Sequence, residues 1–372
     1  PRENGNEASV VKHLRVLGAA HLLEIVHFFR GEGDLKIFDT HDELSTRSMK
    51  DDGLNFSDIK GQSQSKRALE IAASGGHNVL MIGPPGSGKT MLARRIPTIL
   101  PSLNYEEAIE TTKIHSIAGL LSAHRCLVLE RPFRAPHHTI SDAGLIGGGH
   151  VPKPGEVSLA HNGVLFLDEF PEYRRNVLDA LRQPLEDGNV TISRVTHAIT
   201  FPARFMLIAA MNPCPCGYWG DSRRSCTCSG PQIHRYRSRI SGPLLDRMDI
   251  HIEVPPVTVR ELSADREEEP SERIRERVVQ ARNIQENRFK GKKIYANSQM
   301  STRMIKKHCT VSDNAKNLLE KAVDKFGLSP RAYHRILKVA RTIADLDMRE
   351  YIEESHVAEA IQYRVLDKRM TV

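Results

Sequence analysis

Short, unbroken apolar runs recur through this chain, at Val79-Leu80-Met81-Ile82, Val164-Leu165-Phe166-Leu167 and Phe205-Met206-Leu207-Ile208-Ala209-Ala210-Met211. Runs of this length without polar alternation read as strands of a parallel sheet buried on both faces. Helical spacing predicts helices over 10–29, 63–74 and 104–111, and one opening at 91–96. A further helix is expected over 171–187, with Val177, Leu178, Leu181 and Leu185 on one face and Gly188 closing it. Val190-Thr191-Ile192-Ser193 and Ala198-Ile199-Thr200-Phe201 alternate instead, which predicts a β-hairpin with Arg194 and His197 near its tip. After Pro255-Pro256 the pattern changes: 261–290 is charge-dense and helical, and the remainder is all helical. Ser312 caps one helix, Gly327 stops it, Ser329-Pro330 starts the next, and a last helix starts at Ser355.

The expected organisation is therefore an α/β domain over 53–256 with a parallel sheet and hairpin insertions, followed by an all-helical domain over 257–372. Residues 1–52 read as the tail of an upstream domain plus a polar linker. The opening Pro-Arg-Glu without an initiator methionine suggests a fragment of something longer. The stretch 131–160 scatters Pro132, Pro136, Pro152 and Pro154 among glycines, and is expected to be an inserted hairpin with its tip near 146–150.

The first apolar run leads into Gly83-Pro84-Pro85-Gly86-Ser87-Gly88-Lys89-Thr90, the spacing of a phosphate-binding P-loop. Glycines let the backbone wrap closely around a polyphosphate, whose charge meets N–H groups and a helix N-terminus. Lys89 would reach the β- and γ-phosphates of ATP, and the Thr90 hydroxyl would ligate Mg²⁺. The second run ends in Asp168-Glu169, the shape of a Walker B strand. Asp168 would hold Mg²⁺, and Glu169 would orient and polarise the attacking water. The third ends in Asn212, an amide placed to contact both that water and the γ-phosphate.

Two arginines complete the candidate set. Arg247, in Ser241-Gly-Pro-Leu-Leu-Asp-Arg247, suits an arginine finger reaching a neighbouring subunit's nucleotide, or an ordinary Arg–Asp surface pair. Arg331 sits in the first turn of its helix, where the dipole disfavours a cation, which suggests a nucleotide phosphate as partner.

Composition changes the picture little: 40% hydrophobic and 27% charged residues suit a globular chain, and a net charge of +7 fits a polyanionic partner without showing one. No apolar run is long enough to span a bilayer and no signal peptide is evident, so a cytoplasmic protein is expected. Of six cysteines, Cys214, Cys216, Cys226 and Cys228 fall in one short stretch, where four thiolates suit a structural Zn²⁺, ahead of free thiols or a redox pair. Arg223, Arg224, Arg235, Arg237 and Arg239 surround them with Tyr218, Trp219 and Tyr236. That mixture grips phosphates and stacks bases, or equally forms a subunit interface. His137 and His138 read as loop histidines or as metal ligands, and Arg194 and His197 as a solvated hairpin tip or a contact to a nucleic-acid backbone.

The order P-loop, Asp168-Glu169, Asn212, Arg247, Arg331 resembles an AAA+ ATPase. Arg131-Pro-Phe-Arg-Ala-Pro-His-His138, Pro154-Gly-Glu-Val-Ser-Leu-Ala-His-Asn-Gly163, the Ser241 to Arg247 stretch and Leu337-Lys-Val-Ala-Arg-Thr-Ile-Ala-Asp345 further resemble the ComM/YifB family of magnesium-chelatase-like ATPases, related to MCM helicases. The resemblance covers residue 55 to the end, and 1–45 resembles the tail of that family's Lon-like N-terminal domain. It implies an AAA+ domain with a helical lid, and a hexameric ring that moves on DNA and drives branch migration in natural transformation. It also implies that the insertions at 131–160 and 190–201 line the pore, with Arg194 touching DNA. The alternatives are a chelatase-type motor remodelling a partner enzyme, and a DNA-binding scaffold without catalysis.

Overall fold

The computed structural model describes residues 1–11, 14–38, 53–121, 127–149, 152–193, 198–221, 223–258, 261, 263, 267–292 and 294–364. They form two compact units, Gly53–Pro101 with Pro132–Val372 and Pro1–Asp52 with Ser102–Arg131.

The larger unit is built on a five-stranded sheet. Helix α1 (Ser63–Gly75) leads to β1 (Val79–Ile82), and α2 (Lys89–Ile99) follows the P-loop. Then come β2 (Phe133–Arg134), α3 (Asp142–Ile146), the short pair β3 (Gly147–Gly148) and β4 (Lys153–Pro154), α4 (Glu156–Leu159) and β5 (Val164–Leu167). Helices α5 (Arg175–Ala180) and α6 (Arg182–Asp187) precede the hairpin β6 (Asn189–Ser193) and β7 (Ala198–Pro202) and the strand β8 (Met206–Met211). Helices α7 (Gly230–Arg237) and α8 (Gly242–Leu245) lead to β9 (Ile250–Glu253). The helical region holds α9 (Ser271–Arg288), α10 (Thr302–His308), α11 (Asp313–Phe326), α12 (Pro330–Leu346) and α13 (Glu354–Gln362).

Sheet order is β9-β1-β8-β5-β2, with every pairing parallel. Ile208 lies between Val79 and Phe166, which fixes the register of the three central strands. Their side chains alternate between two cores. Val79, Met81, Val164, Phe166, Ile208 and Ala210 face one core, shared with α1, α2 and the helices α9, α12 and α13. Leu80, Ile82, Leu165, Leu167, Leu207 and Ala209 face the other, under α5. Both faces are dry, which is why these strands carry no polar alternation; each buried leucine or isoleucine contributes about 1.5–3 kcal/mol.

Two predicted helices are corrected. The helix over 171–187 is two, α5 and α6, preceded by a 3-10 turn at Phe170–Glu172. Pro184 has no N–H for the Ala180 carbonyl and its ring crowds that position, so α5 ends at Ala180. The helix over 10–29 is likewise absent. In the smaller unit, the helix Leu22–Arg30 is preceded by a strand, Val16–Gly18, paired antiparallel with Lys36–Phe38. The β-branched Val16 favours the extended form, and a side chain at Gly18 would run into the Phe38 ring. That unit also contains the helix Tyr105–Ile117, capped reciprocally by Asn104 and Glu107, with Arg131 clamped to Glu107 at 2.9 Å. In the 131–160 insertion, α3 buries Leu145, and β3 pairs with β4. His150, at its predicted tip, lies outside the described residues, as do Arg194 and His197 at the tip of the β6–β7 hairpin.

Candidate functional site

The chain leaves β1, crosses to the far edge at β2, returns through β5 to β8, and then passes over β1 to β9. Neighbouring connections thus diverge at the carboxyl ends of β1 and β8, where a parallel sheet leaves a crevice for ligand. The predicted residues converge there. Gly83 must be glycine, since a Cβ would lie 2.2 Å from the Val254 carbonyl oxygen. Gly86 and Gly88 adopt φ of 75° and 89°, wrapping the loop toward the N-terminus of α2.

Lys89 is buried, and its Nζ donates to the carbonyls of Gly83 (2.8 Å) and Pro84 (2.9 Å) and lies 3.3 Å from Asn212 Oδ1. Burial lowers its pKa to about 8, partly opposed by the nearby charge of Asp168. Thr90 Oγ1 donates to Asp168 Oδ2 at 2.7 Å, so the two candidate Mg²⁺ ligands meet across the crevice. The donor set fits the ion: a hydroxyl and a carboxylate are both hard oxygen ligands. Glu169 follows in a left-handed conformation, φ 51°, which turns its carboxylate away from β5 and 2.9 Å from His138 Nδ1. Non-glycine residues rarely adopt that conformation, and it recurs at functional sites.

The two arginines are not brought to the loop. Arg247 is 8% exposed, donates to the Pro243 carbonyl at 2.6 Å and is ion-paired with Glu186 of its own chain. Arg331 stands exposed in the first turn of α12.

The four cysteines do come together. All four sulfurs lie within 4.8 Å of one another, with Cys214–Cys216 at 3.3 Å, Cys216–Cys226 at 3.6 Å and Cys214–Cys226 at 3.7 Å. A tetrahedron with metal–sulfur bonds of about 2.3 Å has edges of about 3.8 Å, so this cluster could hold a metal ion. Backbone N–H groups of Trp219, Cys216 and Cys228 point at the sulfurs of Cys214, Cys228 and Cys226 at 3.3–3.4 Å. Hydrogen bonds from the backbone at Tyr218 and Thr227 bring the Cys216 thiol down to about 5, whereas burial and the neighbouring sulfurs push those of Cys226 and Cys228 up, as expected of sulfurs crowded together without a cation among them.

Three participants were not evident from the sequence. Sequence alone makes His138 a loop residue or a metal ligand, and only the fold brings it to Glu169. Gln62, at φ 52°, donates to the Ser87 carbonyl at 2.7 Å and to that of Pro255 at 3.1 Å, tying the P-loop to the exit of β9. Its signal was only the Gly61-Gln62 pair ahead of α1. Glu186, the partner of Arg247, carried none.

A parallel β9-β1-β8-β5-β2 sheet with a P-loop on β1, an acidic pair on β5, an amide on β8 and a helical region behind it defines an AAA+ ATPase fold. The family model for magnesium chelatase subunit ChlI matches residues 55–262, and that for the ChlI C-terminal region matches 268–364. The chain belongs to the ComM/YifB family within this magnesium-chelatase-like group. It is 48% identical to competence protein ComM of Haemophilus influenzae, over 98% of this chain and 71% of that protein. It is 44% identical to YifB of Escherichia coli, over 99% and 71%. Identity to the magnesium-chelatase 38 kDa subunit of Cereibacter sphaeroides is 26%, over 42% and 52%.

Proposed function

We propose that this chain is an ATP-driven DNA motor of the cytoplasm, assembling as a hexameric ring and promoting branch migration of recombination intermediates during natural transformation. The observation that carries the ATPase reading is the meeting of Thr90 and Asp168 at 2.7 Å beside Lys89 and Asn212, at the ends of neighbouring parallel strands. The likeness to a protein named for competence supports the DNA reading.

In this mechanism Lys89 binds the β- and γ-phosphates, and Thr90 and Asp168 hold Mg²⁺, which neutralises phosphate charge when bound. Glu169 orients the attacking water and takes its proton, and Asn212 holds that water against the γ-phosphate. Arg247 leaves Glu186 and reaches the nucleotide of the neighbouring subunit, stabilising charge that develops in the transition state, while Arg331 contacts a phosphate from the helical lid. An arginine that serves a neighbour's nucleotide needs two different patches of each protomer to meet, so the assembly is heterologous, and a closed ring is the form of it we propose. Arg194 and His197 contact the DNA backbone within the pore. Cys214, Cys216, Cys226 and Cys228 hold a structural Zn²⁺.

A chelatase-type motor is the second reading, favoured by the ChlI family models that match most of the chain. The deciding experiment measures ATP turnover with and without branched or single-stranded DNA, together with strand displacement. Stimulation by DNA and movement of the branch support the motor. DNA-independent turnover with forked substrates left intact favours the chelatase reading, and absence of turnover removes both.

A further inference from the structure

A cavity of about 450 Å³ opens beside the P-loop, and the cysteine loop forms part of its wall. Tyr218, Arg223 and Arg224 line it together with Ile59, Met91, Val257 and the P-loop residues Pro84–Gly88. This volume and its mixed apolar and polar lining suit a nucleoside triphosphate. The cysteine loop is braced on three sides. Gly217, at φ 88°, lies so close to the P-loop that a Cβ would stand 2.6 Å from Pro85 Cδ. Arg223 Nη2 reaches the Val257 carbonyl at 3.5 Å, and Arg237 of α7 lies 4.4 Å over the Trp219 ring while donating to the Pro213 carbonyl at 3.2 Å. Within the loop, the Arg224 guanidinium covers the Tyr218 ring at 5.2 Å and donates to its hydroxyl at 2.8 Å.

Resting on the nucleotide reading above, we infer that the cysteine loop is a wall of the nucleotide pocket: the Tyr218–Arg224 pair packs against the base, and metal held by the four thiolates fixes that wall in place. The sequence offered these side chains only as a nucleic-acid grip or a subunit interface. The cavity gives them a nearer occupant. A phenol ring backed by a guanidinium is a flat, cationic platform suited to a purine face. Those braces hold the loop at its edges; its fifteen residues have little core of their own, and four sulfurs gathered around one ion supply a rigid centre.

The test is calorimetric titration of the whole chain with ADP and, separately, with inorganic pyrophosphate. Tyr218→Ala and Arg224→Ala are expected to weaken ADP about tenfold, in the range of lost base–aromatic stacking, and to leave pyrophosphate within about twofold. Tyr218→Phe, which keeps the ring, stays near wild type, and the metal content of all three is unchanged. Protein stripped by a chelator and checked for retained secondary structure loses ADP affinity to a similar extent. Unchanged ADP affinity in both alanine variants overturns the inference, as does an equal loss for ADP and pyrophosphate, which would place the effect on the P-loop. Full ADP affinity after stripping overturns the role of the metal. Lys89→Ala separates this from the broader reading: if it binds ADP and pyrophosphate as wild type does, the P-loop assignment itself fails.

Discussion

His138 Nδ1 lies 2.9 Å from Glu169 Oε2, so the candidate general base is held by a residue of the 131–160 insertion and not by its own strand. A carboxylate engaged with an imidazole is less available to a water molecule. His138→Ala is therefore expected to raise ATP turnover without DNA several-fold and to reduce the further stimulation DNA gives. Glu169→Gln should lower turnover by about 10²–10⁴-fold while nucleotide still binds. Steady-state phosphate release with and without DNA checks both, and a His138→Ala enzyme with wild-type basal turnover and stimulation would remove the restraint.

Lys89 gives a pH signature. Its pKa in the free protein is lowered to about 8, chiefly by burial, and a bound polyphosphate raises it again. Binding then takes up a proton above pH 8, so affinity is level below that value and falls as pH rises through it. The fall approaches tenfold per unit. Lys89→Arg, charged throughout, should bind with a flat profile from pH 7 to 9.5, measured as the ADP dissociation constant at constant ionic strength. A flat wild-type profile contradicts the assignment.

Arg247 is paired with Glu186 in its own chain, yet its proposed role is in trans. Arg247→Ala should bind ATP and lose turnover. Mixing it with the Glu169→Gln protein should restore part of the activity, because one class of interface then joins an intact arginine to an intact glutamate. If the mixture is no more active than its parts, the finger lies elsewhere.

Four sulfurs this close predict about one Zn²⁺ per chain purified under reducing conditions, measured by elemental analysis. Cys216→Ser should lower that content and reduce thermal stability, and chelation of the wild type should do the same. Less than about half an ion per chain argues against zinc.

How much of this was written in the sequence depends on the range of the interactions. The apolar strands and the caps at Ser312 and Ser329 are decided within a few residues, and the structure has them at the expected positions. Helix 171–187 is broken by a single local detail, Pro184, inside an otherwise good apolar stripe. The region over 10–29 failed because the partner that makes Val16–Gly18 a strand lies at Lys36–Phe38. The site divides the same way. Lys89 and Thr90 were legible from spacing, whereas the partners of Glu169 and Arg247 come from segments 31 and 61 residues distant in sequence, and no periodicity announces them.

At the base of β1, away from the P-loop, Asp249 accepts the Asn78 backbone N–H at 3.0 Å and is ion-paired with Arg335 of α12. Beside it His77 shares a 2.8 Å hydrogen bond with Thr342 of the same helix, and Thr342 and Asp345 both receive the Asn297 amide. Separating such a buried set would strand charge at a cost of about 3–5 kcal/mol. The helical region and the sheet are thus riveted here, and a second time nearer the P-loop, where Glu268 pairs with Lys66 at 2.6 Å and accepts from the Gly61 N–H at 2.8 Å. Sliding the lid across the sheet would mean breaking these buried pairs one after another, so the helical region is expected to follow the sheet as cargo follows a hull.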